Sequence, residues 1–202
     1  MFISNNSTNT VISGQGTDSI NNSGNIVKIS VANGENTIDN SGNLVTITGG
    51  SDRDIINNSG SNVIIDAGAG NDYVENSGDT VSIALNNGKN YVLNKGNSKD
   101  VTIIGGEGND TVENYMADSV FISLGNGDNS VRSHYTNNAT IITGNGSDIL
   151  YFNDRGNAVL DTGAGDDTVI TCTDSTIDAG LGNDVIELLS GITAGSNLVK
   201  YT

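Results

Sequence analysis

Ten times along the chain the pattern small-x-Gly-x-Asp/Asn-x-aliphatic returns, beginning with GQGTDSI at Gly14, ANGENTI at Ala32 and GSDRDII at Gly50 and ending with GAGDDTV at Gly163 and GLGNDVI at Gly180. Its acidic or amide position is filled in turn by Asp18, Asn36, Asp54, Asp72, Asn90, Asp110, Asn129, Asp148, Asp167 and Asp184, at successive offsets of 18, 18, 18, 18, 20, 19, 19, 19 and 17 residues. A recurrence of this length marks a solenoid, in which each repeat is one coil stacked on the next.

Between these copies lies a second apolar run, for example IVKISV from Ile26, TVSIAL from Thr80 and VFISL from Val120. Alternation of β-branched and polar residues with period two denotes short strands with one buried face. Each repeat therefore reads as a glycine turn, a short strand, a second turn and another strand. The expected fold is all-β: a right-handed parallel β-solenoid of about ten coils of 17–20 residues, forming a single domain over residues 1–202. Residues 1–13 are expected as an N-terminal cap or first strand, 14–186 as the repeats, and 187–202 as a C-terminal cap or tail. Coils spaced by about 4.8 Å make a rod on the order of 50 Å long.

Composition agrees with a thin repeat core: the chain has 27 Gly, no Pro, no Trp and three Phe. One inward column runs through Ile20, Ile38, Ile56, Val74, Val92, Val112, Val131, Leu150, Val169 and Ile186, facing another that includes Ile29, Ile47, Ile65, Ile83, Ile103, Ile122, Ile141, Leu160 and Ile177. A few aliphatics per coil, at roughly 1.5–3 kcal/mol each, are little against backbone ordering of about 1–2 kcal/mol per residue. The turns need their own source of cohesion.

At the second turn that source is amide stacking. Asn22, Asn40, Asn58, Asn76, Asn94 and Asn114 occupy one position in six successive coils, and the first five are followed two residues later by Gly. An amide both donates and accepts, so identical Asn side chains can bond to one another from coil to coil.

The first turn is different, because it stacks acids. Two carboxylates about 5 Å apart repel by roughly 3 kcal/mol at an effective dielectric near 20. Such a column needs protons or a shared cation, and at neutral pH the cation is expected. The net charge of −16, from 24 acids against eight bases, points the same way and argues against nucleic acid or an anionic membrane as partner. Hard oxygen donors select Ca²⁺, and no Cys/His cluster suggests zinc. Asp54 with Asp72, Asp148 with Asp167, and Asp167 with Asp184 are the expected strong sites; those bordered by Asn36, Asn90 or Asn129 are weaker.

The segments GGEGNDTV, GAGNDYV, GAGDDTV and GLGNDVI resemble the glycine- and aspartate-rich nonapeptide of the RTX (repeats-in-toxin) family, over about residues 9 to 190. The resemblance implies a β-roll that binds Ca²⁺ between adjacent turns, with the ten residues from Asp18 to Asp184 as ligands beside turn carbonyls. It also implies a secreted or cell-surface protein exported by type I machinery and ordered by calcium outside the cell. The second turn departs from the family, reading NSGDTVSIA with Val81 where an Asp would lie, so a one-sided variant with one calcium row is expected.

The role expected is a structural, adhesion or spacer rod, with calcium ions as partners and an extracellular polysaccharide or protein as a further one. No stretch approaches the roughly 18 apolar residues of a membrane span, and MFISNNSTNT lacks the regions of a secretory signal peptide. The lone Cys172 is expected to be a small buried or half-buried residue without a disulfide. The alternative is a polysaccharide lyase or epimerase using Tyr115, Arg132, His134, Tyr135, Tyr151 and Arg155, with His134 or Tyr135 as base and an Arg as charge neutraliser. One His and a few scattered bases do not specify a catalytic geometry, so the chain is read as a non-enzyme.

Overall fold

The computed structural model describes residues 1–153, 156–172, 175–189 and 198–200. Within them the chain winds through two parallel eleven-stranded sheets, alternate strands entering alternate sheets, and no helix occurs. A coil runs from the glycine turn into a first-sheet strand such as Ser19–Asn22, through the asparagine turn, and into a second-sheet strand such as Lys28–Ser30. This is the parallel β-solenoid expected from the periodicity.

Register is what makes the repeat structural. Each strand pairs with its counterpart one coil away: Ile20 faces Ile38, Ile38 faces Ile56, Val74 faces Val92, and Ile83 faces Ile103. Because side chains alternate across a strand, one column of aliphatics from each sheet points inward, and both columns are buried from Ile20 to Val169 and from Ile29 to Ile177. Ile186, in the last coil, is only partly buried.

The stack is longer at its amino end than the glycine turns indicate. Phe2–Asn5 pairs with Ser19–Asn22, and Thr10–Ile12 with Lys28–Ser30, so residues 1–13 supply strands to both sheets. At the other end Val185–Leu188 and Leu198–Lys200 continue the two sheets. The rest of the expected 187–202 cap, at 190–197 and 201–202, lies outside the described residues.

The asparagine ladder is present and begins one coil early. Each Nδ2 donates to the Oδ1 of the next rung: Asn5 to Asn22 and Asn22 to Asn40 at 2.7 Å, Asn40 to Asn58 and Asn58 to Asn76 at 2.8 Å, then Asn76 to Asn94 at 2.9 Å and Asn94 to Asn114 at 2.8 Å. The second amide hydrogen goes to a turn carbonyl, as from Asn58 to Gly60 O at 2.9 Å. Asn114 ends the amide run by donating to the Ser133 and Thr136 hydroxyls, and the position beyond is taken by the fully buried Phe152. The amide run thus ends with its last donor satisfied, and beyond Phe152 the same column continues with the buried Thr171.

Glycine in this turn is required by close approach. A Cβ on Gly60 would stand 1.9 Å from Gly42 O. The left-handed residue of the same turn is not glycine: Ile26, Leu44 and Thr80 have φ of 57°, 58° and 57°. That conformation costs an L-residue roughly 1–2 kcal/mol, and it is held in place by the inter-coil bonds on either side, such as Ile26 N to Asn43 O at 2.9 Å.

Asn58→Ala removes one rung and leaves buried partners unsatisfied, so it should destabilise the protein by roughly 2–4 kcal/mol in chemical denaturation. Asn57→Ala, on the exposed side of the same strand, should stay within about 0.5 kcal/mol of the parent.

Candidate functional site

The glycine turn delivers one polar residue per coil to the start of the first-sheet strand, and its side chain turns into the solenoid. Asp18, Asn36, Asp54, Asp72, Asn90, Asp110, Asn129, Asp148 and Asp167 are all buried, with Asp18 the most exposed at 4 %, while Asp184 in the last glycine turn is half-buried. The structure therefore brings all ten sequence-derived residues into one column.

Within that column, one side-chain oxygen has a fixed job. Oδ1 of each residue accepts a hydrogen bond from the main-chain N–H of its counterpart in the preceding coil, at 2.7 to 3.0 Å, without interruption from Asp18 N to Asp184 Oδ1. Asp and Asn are equivalent for this purpose. At the amino end the chain's own ammonium joins the column, 2.6 Å from Asp18 Oδ1.

The second side-chain atom separates the two residue types. Asn36 Nδ2 donates to Gly34 O at 2.7 Å, to Ala32 O at 3.1 Å and to Asp54 Oδ1 at 2.9 Å. Asn129 Nδ2 donates to Gly127 O at 2.9 Å and to Thr143 O at 3.1 Å. These two amides thus close their turns upon main-chain carbonyls, while the third, Asn90, has its Nδ2 buried without a partner. A carboxylate has no hydrogen to offer there: Oδ2 of Asp18, Asp72, Asp110, Asp148 and Asp167 is buried without a hydrogen-bond partner. Asp54 differs, its Oδ2 accepting from Gly50 N at 2.9 Å.

An unpartnered buried carboxylate oxygen disfavours the charged form. Burial pushes Asp72, Asp110 and Asp148 up to about 6, against the pull of the main-chain N–H bonds, and raises Asp167 as well. The Thr143 and Thr162 hydroxyls draw Asp148 and Asp167 part of the way back down. Asp18 alone is lowered, by the hydrogen bond from the terminal ammonium and then by Ser13. The ammonium thus favours the ionised form of Asp18, whereas burial disfavours it at Asp72, Asp110, Asp148 and Asp167.

Among the described residues, no three His, Cys, Asp or Glu side chains gather closely enough to hold a metal by themselves. A cation here would need carboxylates of consecutive coils together with main-chain carbonyls. The donor set fits a hard ion, since the side-chain atoms left over in the Asp coils are carboxylate oxygens together with the Ser13 hydroxyl oxygen beside Asp18.

The aromatic and basic side chains lie elsewhere, outside the asparagine turn of the longer coils. Tyr115 and His134 stack with centroids 5.3 Å apart and planes 6° from parallel, and Tyr151 tilts against His134 at 5.3 Å. Tyr135 approaches the same imidazole at 6.4 Å, and Arg132 Nη1 lies 4.0 Å from Glu113 Oε1. Burial raises the Tyr115 phenol, aided by the Glu113 carboxylate that accepts its hydrogen bond, which is opposite to what a phenolate base needs. His134 is lowered by burial and then by Arg132, which favours its neutral imidazole. Arg155, the other candidate neutraliser, lies outside the described residues. Cys172 is half-buried, its Sγ 3.0 Å from Asn153 Oδ1.

No protein-family model, curated protein or solved structure matches the chain.

The raised carboxyl pKa values set a pH dependence whose sign can be worked out. The folded protein holds these protons more tightly than the unfolded chain, whose Asp titrates near 3.8, so stability is greatest below that value and is lost as pH rises through about 6. Each of the three carboxyls contributes on the order of 2–3 kcal/mol to that loss. In chelator, the denaturation midpoint should be higher at pH 4.5 than at pH 7.5, the reverse of the usual acid lability.

Proposed function

We propose that the chain is a calcium-binding β-solenoid module of the one-sided RTX-like kind, acting outside the cell as a structural, spacer or adhesion rod and not as a catalyst. The observation that carries this reading is the row of buried Asp Oδ2 atoms without partners. An ordinary folded protein satisfies its buried polar groups, and a repeated orphan of one chemical type asks for one repeated counter-group. Asn36 and Asn129 supply that counter-group from their own amides and Asp54 takes it from Gly50 N–H; Asp72, Asp110, Asp148 and Asp167 have to obtain it from outside.

Asp54 with Asp72, and Asp148 with Asp167 and Asp184, would hold the ions, since these runs place carboxylates in consecutive coils. Calcium bound there supplies the positive charge that the second oxygens lack. Asp72 and Asp148 then stay ionised at neutral pH instead of taking up protons, and each Oδ1 keeps its main-chain bond to the coil before it. Mg²⁺ is a poorer match, because it demands a tight octahedron and gives up its water reluctantly.

Extracellular modules bind calcium at roughly 10⁻⁴–10⁻³ M, an affinity suited to a chain that is left unsatisfied inside the cell and ordered after export by a type I route. The high acidic excess fits such a life history: mutual repulsion opposes folding until counter-ions arrive.

Calcium should raise the melting temperature at pH 7.5, each independent site adding about 2.7 kcal/mol at a concentration about 100 times its Kd. Asp148→Asn, which replaces the second oxygen by an amide nitrogen, should lose part of this gain while melting higher than the parent in chelator. Circular dichroism melts of both proteins with calcium, magnesium and chelator test the proposal. Melts of the parent that coincide in all three would remove it.

A further inference from the structure

The acid column has a second column beside it, five residues upstream in every coil. Where the first column has Asn36, Asn90 or Asn129, the second has Val31, Leu85 or Leu124. Where the first has Asp, the second has Ser13, Gly49, Ala67, Gly105, Thr143, Thr162 or Ala179. The division is complete: three amides stand with the three large aliphatics, and every acid stands with a small or hydroxylated residue. Of all the ways to distribute three bulky residues over ten coils, only one produces this match.

The two columns touch at the atom in question. A Cβ built on Gly49 would lie 2.8 Å from Asp54 Oδ2, and one on Gly105 would lie 2.6 Å from Asp110 Oδ2. The Thr143 and Thr162 hydroxyls occupy the same position beside Asp148 and Asp167, donating their own hydrogens to Thr162 O at 3.3 Å and Ala179 O at 2.9 Å. Val31, Ala67, Leu85, Leu124, Thr143 and Thr162 are all buried, so this position faces the interior. It decides how much room, and of what polarity, surrounds the second side-chain atom of the neighbouring column.

At Gly49 and Gly105 the main chain itself excludes a side chain, since a Cβ would also lie 2.0 Å from Ala67 O and 2.4 Å from Leu124 O. At the other acid coils packing alone does not account for the division: a buried Val or Leu there would enlarge the thin core, and Ala, Ser or Thr in its place gives that burial up. The coils of Asn36 and Asn129 can accept the aliphatic because these amides have already spent their hydrogens on main-chain carbonyls, whereas Asn90 Nδ2 is buried beside Leu85 without a partner. At Asp18, Asp72, Asp110, Asp148 and Asp167 the acid coils set a small or hydroxylated residue beside a carboxylate oxygen that has no partner.

We infer that the residue five positions before the column sets the cation specificity of its coil: acidic slot plus small or hydroxylated neighbour holds calcium, amide slot plus aliphatic neighbour is closed to it. This rests on the calcium reading above and adds to it a two-residue code. Val31, Leu85 and Leu124 close their coils, dividing the row into separate groups of sites. Thr143 and Thr162 offer a further oxygen to the groups at Asp148 and Asp167.

The code is tested by opening a closed coil in the full chain. Asn129→Asp alone places a carboxylate against Leu124; Asn129→Asp with Leu124→Thr reproduces the pairing found at Asp148 and Thr143. Calcium bound per chain is measured by equilibrium dialysis and atomic emission, alongside melts in calcium to confirm folding. The double variant should bind one ion more than the parent, and the single variant should bind it at least about tenfold more weakly, a difference of about 1.4 kcal/mol. Asn36→Asp with and without Val31→Thr repeats the comparison at a second coil, should the first not fold. A single variant that gains the ion as tightly as the double one overturns the code, as does a double variant that gains none while the parent binds calcium. A parent that binds no calcium withdraws the calcium reading itself, and the code with it.

Discussion

Stacking coils at the spacing of a β-sheet sets every side chain on its own counterpart, and a polar side chain turned inward must be satisfied by the copy above or below it. The two inward polar columns of this protein meet that constraint in different ways. An amide is self-complementary, and the Asn5 to Asn114 column closes on itself with each Nδ2 donating to the next Oδ1. A carboxylate is not, and the column satisfies one Asp oxygen from the main chain while leaving the other over at Asp18, Asp72, Asp110, Asp148 and Asp167. The rest of the architecture, from its thin core to its acidic balance, is arranged around that difference.

The fold was legible because register converts sequence period directly into spatial columns. The aliphatic columns, the amide ladder and the ten slot residues could all be read from equal spacing. Asn5 escaped notice because its coil carries no glycine turn, although it stands 17 residues before Asn22 as Ile3 stands 17 before Ile20. Ile26 and Thr80 in left-handed conformation could not be read either, since residue preference argues against them and only the inter-coil bonds hold them there.

At the candidate site the period gave the column but not the direction in which each carboxylate leans. Equal spacing suggested acids facing acids, with repulsion as the main problem. The structure shows that Oδ1 of every rung is taken by a main-chain N–H, so the problem moves to the second oxygen and becomes one of desolvation. The neighbouring column from Ser13 to Ala179 was missed because it lies outside the glycine pattern. Its signal was available in the covariation of Val31, Leu85 and Leu124 with the three amides.

The central claim concerns what stands beside the orphaned oxygens, and an anomalous difference map from crystals grown in calcium at neutral pH observes that directly. Peaks are expected within the coils of Asp54 and Asp72 and of Asp148 and Asp167, with none beside Asn36 or Asn129. A column free of anomalous density, with the second oxygens paired instead to protons or to water, would contradict the account.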